Sequence, residues 1–164
     1  MSILPFLNII ADFRSVCKSG DLDNLKRLLE EEKYLKWLDG LIIEAAKYGH
    51  LEMVRYLYEK GDDPQSCSNS PIIHASRRGH FKVVEYLISI GADPNSGLLP
   101  AVEYEHIDIV ILIVQAGSTI DLEGAIKTAK FYRLKDIYSY LTNIKEGKDD
   151  FIKCLKIKKL LTSL

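Results

Sequence analysis

The sequence predicts an all-α solenoid of about five stacked helix pairs, and three observations carry that expectation. Two stretches of about twenty residues are near copies of each other. Each splits into two short helical patterns around a Gly-His pair. Three weaker copies flank them in the same order along the chain.

The strong copies are AAKYGHLEMVRYLYEKGDDP, from Ala45, and ASRRGHFKVVEYLISIGADP, from Ala75. A third, AVEYEHIDIVILIVQAGSTI, starts at Ala101, and weaker ones start at Val16 and Thr128. Counting from their starts puts the anchor of the turn at Gly20, Gly49, Gly79, Glu105 and Tyr132. The intervals are 29, 30, 26 and 27 residues. Units are therefore expected near 12–40, 41–69, 70–96, 97–123 and 124–144.

Each unit reads as two helices. In the second, Ile42, Ile43, Ala45 and Ala46 make a first helix whose small residues let neighbours approach closely. Gly49 ends it, because the residue after a helix often turns left-handed and glycine carries no Cβ penalty there. Leu51, Val54, Leu57 and Tyr58 recur at spacings of three and four, forming the stripe of a second helix. Gly61 and the Asp62-Asp63-Pro64 run stop it. One such pair cannot bury its own apolar face, whereas stacked copies can. Where Glu105 and Tyr132 replace glycine, a left-handed backbone would cost each about 1–2 kcal/mol.

These residues resemble the ankyrin repeat. Ser70 to His80, SPIIHASRRGH, is similar to that family's T-P-L-H-x-A-A-x-x-G-H segment, and GADPN at Gly91–Asn95 is similar to its loop. The resemblance is strongest over residues 41–95 and spans roughly 12–143. It implies an ankyrin-repeat solenoid that binds a partner protein and catalyses nothing. The period is shorter than the family's 33, so the hairpin fingers should be reduced, with a fuller loop only at Gln65–Ser70. This compact form resembles repeats of large DNA viruses of protists and of intracellular bacteria, which makes a host protein an expected partner.

Composition narrows the function classes. Apolar residues make up 47% of the 164, enough for a continuous core, and the net charge is −1. A near-neutral total disfavours a nucleic-acid binder, which needs a basic stripe to replace phosphate counterions. Cys17, Cys67 and Cys154 form no CxxC pair, which fits a reducing, cytoplasmic setting. The N-terminal MSILPFLNIIADF lacks a basic lead and is too short to span a membrane, so a capping helix is expected there.

No nucleotide-loop, zincin or nucleophile-elbow motif occurs. His50, His80 and His106 recur at the Gly-His position, a pattern with a structural cause, and lie too far apart to share a metal bound at about 2 Å. No cofactor and no metal is therefore expected, and no enzyme.

The resemblance implies that the first helices line a concave face where partners sit. The position before the paired small residues holds Glu44, His74, Pro100 and Lys127. The two positions before each anchor hold Lys47-Tyr48, Arg77-Arg78, Glu103-Tyr104 and Lys130-Phe131. Tyr and Arg are enriched at interface hot spots, so the partner-binding set is Lys47, Tyr48, His74, Arg77, Arg78, Glu103, Tyr104, Lys130 and Phe131. On the second helices, Ile111 and Leu112 break a polar pattern and offer a rival patch. Residues 145–164 carry six Lys against three acids and read as a linker followed by a helix from Phe151. That helix is expected to cap the stack, or alternatively to act as an adaptor for nucleic acid or a membrane surface. A monomer is expected.

Overall fold

The computed structural model describes residues 4–30, 40–118 and 122–147. They form ten helices and, among the described residues, no strand. In chain order the helices are α1 (Leu4–Ser19), α2 (Leu22–Leu29), α3 (Leu41–Tyr48), α4 (Leu51–Glu59) and α5 (Ser66–Arg77). They continue as α6 (Phe81–Ser89), α7 (Asn95–Glu103), α8 (Ile107–Gln115), α9 (Leu122–Phe131) and α10 (Lys135–Lys145). The expected helix from Phe151 lies outside the described residues.

The odd-numbered helices stack in one row, each on the next: α1 on α3, α3 on α5, α5 on α7, α7 on α9. The even-numbered ones form a second row, in which α4 meets α6, α6 meets α8 and α8 meets α10. Each helix touches its own pair partner and the neighbouring units, the arrangement of a repeat array. The first row packs closely because it is lined with small side chains. Ala45, Ala75, Ala101 and Ala129 share one position and are fully buried, and Val16 fills it, also buried, in the first unit. The second row supplies bulk: Met53, Val83, Ile109 and Ile137 form one column, and Leu57, Leu87, Ile113 and Leu141 another.

The second to fifth units turn between their helices in the same way. The N–H of the residue after the anchor donates to the alanine carbonyl five residues back, as His50 to Ala45, His80 to Ala75, His106 to Ala101 and Leu134 to Ala129. This is the hydrogen-bond signature of a helix closed by a left-handed residue. The left-handed residues are Gly20, Gly49, Gly79, Glu105 and Arg133. The sequence count expects Tyr132 as the last anchor; the backbone puts it one residue later, at Arg133, with φ 59°. Without a Gly-His pair the fifth copy has no sequence mark for its turn. Its packing sets it, since only this alignment brings Ile137 and Leu141 into the buried columns.

Glu105 does keep the strained conformation, with φ 63°. Replacing it with glycine should therefore stabilise the array by up to about 1 kcal/mol, offset in part by glycine's greater unfolded-state freedom. Paired denaturant titrations of Glu105→Gly and the parent protein measure this; a lower midpoint for the glycine variant would show that the Glu105 side chain contributes more than its backbone costs.

The connections between units are compact. Around 65–70, where a fuller loop is expected, the chain already belongs to α5, with a left-handed turn at Ser68 and Asn69 (φ 57° and 62°). Side chains tie successive connections together. The Gln65 amide donates to the Gly91 carbonyl at 2.7 Å, the Asp93 N–H donates to Asn69 Oδ1 at 3.1 Å, and Ser118 Oγ donates to Asn95 Oδ1 at 2.8 Å.

Candidate functional site

The recurring histidines join one unit to the next. His50 Nε2 lies 3.0 Å from the Lys18 carbonyl, His80 Nε2 3.1 Å from that of Lys47, and His106 Nε2 3.2 Å from that of Arg77. A carbonyl oxygen only accepts, so Nε2 carries the proton in each ring. Burial is the main reason His80 is held below its ordinary pKa, so it bridges as a neutral ring. Each bridge ends on the last turn of a first helix, and so fixes the side chains displayed there.

Those side chains form a strip across the units. Tyr48 is approached by three cations: Lys47 Nζ at 5.4 Å from the ring centroid, the Arg78 guanidinium at 5.6 Å and Lys18 Nζ at 5.9 Å. Arg77 lies 5.6 Å from the Tyr104 ring. Next, Phe131 and Tyr132 meet edge to face at 5.1 Å. The strip is thus cationic over the first three units and aromatic over the last two. Contacts at these distances are worth about 0.5–1 kcal/mol each at exposed sites, enough to bias rotamers while N–H donors of the cations stay available.

Exposure of the rings rises along the strip. Tyr48 and Arg77 are half-buried, whereas Tyr104 is 52%, Tyr132 53% and Phe131 80% exposed. Phe131 and Tyr132 lie side by side, so two of these rings form one exposed apolar pair. Lys47 is held by Glu44 at 3.4 Å. Among the described residues no carboxylate pairs with Lys18, Arg77 or Arg78, and the Arg77 Nε is buried without a hydrogen-bond partner.

The expected set is therefore brought together in part. Lys47, Tyr48, Arg77, Arg78, Glu103, Tyr104 and Phe131 all fall on the strip. His74 lies beside it, half-buried on α5; burial first, then the Arg77 and Lys47 charges, hold its pKa down and leave it neutral at neutral pH. Lys130 is exposed, but the shifted last anchor moves it off the row; Tyr132 takes the place beside Phe131, and Thr128 replaces Lys127 in the column of Glu44 and His74. Two members were missed. Lys18 stands two residues before Gly20 and was available to the same rule, while Tyr132 needed the corrected anchor.

The rival patch does not stand out. Ile111 and Leu112 are half-buried and packed against the core. Cys17 is buried, and burial first, then the charges of Glu44 and Asp62, push its thiol up to about 12, so it holds no reactive thiolate at neutral pH. Among the described residues, no cluster of three or more His, Cys, Asp or Glu could hold an ion, and no helix is long and apolar enough to cross a membrane.

No curated protein matches the chain significantly. The family model for ankyrin repeats (3 copies) does match, over residues 13–97, which is just over half of the chain. That match covers the first three units, with the Gly-His turns at Gly49 and Gly79 and the bridging His50 and His80, and the two units beyond it turn at Glu105 and Arg133. The chain belongs to the ankyrin-repeat family.

Proposed function

We propose that this protein is a non-enzymatic binding module that docks a partner protein along the ends of its first helices, on the concave side of the array and its adjoining connections. Ankyrin repeats generally serve as protein–protein interaction modules. The observation that carries the reading is the strip of cations and rings at the ends of successive first helices, from Lys18 through Tyr48, Arg77, Arg78 and Tyr104 to Phe131 and Tyr132. The partner is a host protein met in the cytoplasm by a monomeric module; the short repeat period and the odd cysteine set support this finer reading.

The test measures binding and folding together. A partner is recovered by affinity capture from cells and its affinity for purified variants is determined by titration calorimetry. Arg78→Ala and Tyr104→Ala should each weaken binding by at least about 2 kcal/mol, roughly thirtyfold. Both should leave folding stability within about 0.5 kcal/mol, since both side chains are exposed. Lys82→Ala, on the exposed side of α6, is the control. If Lys82→Ala abolishes binding while the other two leave it intact, the partner uses the second row of helices and the proposal fails.

A further inference from the structure

We infer that the strip takes an extended, acidic peptide segment that ends in a bulky apolar anchor, its carboxylates lying over the first three units and its anchor over the last two. This rests on the proposed binding face and adds the chemistry of what binds there.

Three features support that occupant. The first is unneutralised charge. Lys18, Arg77 and Arg78 have no carboxylate partner among the described residues, although Glu52, Glu85 and Glu123 pair with cations elsewhere on the surface. Such cations lack a counter-charge that an incoming carboxylate would supply. The second is presentation. The Arg78 guanidinium lies 5.6 Å from the Tyr48 ring centroid and that of Arg77 5.6 Å from the Tyr104 ring, cation–π contacts that steady each group and leave N–H donors for a carboxylate. The third is the change of character along the strip. Past Tyr104 the exposed groups at this level are the rings of Phe131 and Tyr132, which suit an apolar side chain.

The geometry also sets a spacing. Packed helices advance about 9 Å per unit, so the third and fifth units are about 18 Å apart. An extended chain covers that distance in about five or six residues. Glu103 and Glu105 add negative charge in the fourth unit, where a continuous phosphate backbone would be repelled and a peptide with its carboxylates grouped over the first three units would not, which favours the peptide over a nucleic acid.

The probe is a fluorescein-labelled peptide with a glutamate triplet, a spacer of about five Gly and Ser residues and a Leu-Trp pair, read by fluorescence anisotropy against the full chain. Its comparators carry lysines for glutamates, or a spacer of about one residue; an oligothymidylate of equal charge is the third. The glutamate probe should bind, more weakly as salt rises, and should lose at least about tenfold in affinity against either Arg78→Glu or Phe131→Ala. Arg78→Lys, which keeps the charge but loses the planar fork, should weaken binding less than Arg78→Glu, and circular dichroism melts confirm that each variant is folded. Shortening the spacer should remove the contribution of Phe131. The inference is overturned if the lysine peptide binds as well, if the glutamate probe shows no binding, or if the oligothymidylate binds more tightly with the same sensitivity to Arg78→Glu. If the probe fails while capture of the natural partner still depends on Tyr104, the acidic occupant is wrong and the binding face stands. If capture is also indifferent to Tyr104, the face itself is wrong.

Discussion

Gly79→Ala should cost the array about 3 kcal/mol, far more than an alanine at an ordinary surface position. Two effects add. Gly79 has φ 76°, where alanine is disfavoured by about 1 kcal/mol or more. A Cβ there would also stand 2.6 Å from His106 Cε1 and 2.8 Å from Nδ1. The imidazole must then leave, breaking its bond to the Arg77 carbonyl and loosening the joint between units, for about 1 kcal/mol and some lost packing. Gly20 and Gly49 meet His50 and His80 in the same way. The check is a double-mutant cycle by chemical denaturation: the penalty of Gly79→Ala should shrink by at least about 1 kcal/mol when His106 is alanine. An equal penalty in both backgrounds would show that the ring is irrelevant to the glycine. The chain already holds the natural comparison. Where the next unit carries Leu134 instead of histidine, the left-handed position is Glu105, a residue with a side chain.

Asp62→Ala should also be costly, by about 3 kcal/mol. Asp62 is 2% exposed and accepts from the backbone N–H of Ile42 at 2.8 Å and of Gly40 at 3.3 Å. It therefore closes the N-terminus of α3, whose own cap residue is Gly40 and offers no side chain. Hydrogen bonds to a charged group contribute about 1.5–3 kcal/mol, and the helix dipole favours a carboxylate at that end. Alanine fits the space, since Ala92 fills the equivalent position one unit later. The loss would thus come from stranded N–H groups rather than from packing. Denaturant midpoints give the total, and hydrogen exchange locates it: the Ile42 amide and its neighbours on α3 should exchange faster. A change under about 0.5 kcal/mol with unaltered exchange at Ile42 would rule out this capping role.

Much of this molecule was legible in its sequence. Short-range rules act within a few residues, so Gly49 and Gly79 marked their turns, and the three-and-four spacing of Leu51, Val54 and Leu57 marked the second helix. Stacking followed from repetition, because a lone pair with such a stripe cannot bury it. The rows of side chains displayed at the ends of the first helices came from the same counting, as far as Tyr104.

Tertiary structure decided the rest. The fifth turn falls at Arg133 because burial of Ile137 and Leu141 outweighs the strain of a left-handed arginine, a competition invisible without the neighbouring α8. The role of the histidines as joints, and hence the need for glycine beneath them, exists only when units are stacked. Asp62 looked like part of a helix stop; its carboxylate caps α3 by accepting from the Ile42 N–H, twenty residues earlier in the chain, which only the folded connection brings within reach. Likewise the cations of the first three units face the rings of Tyr48 and Tyr104 because the stack places residues about thirty apart in sequence within one ring's reach.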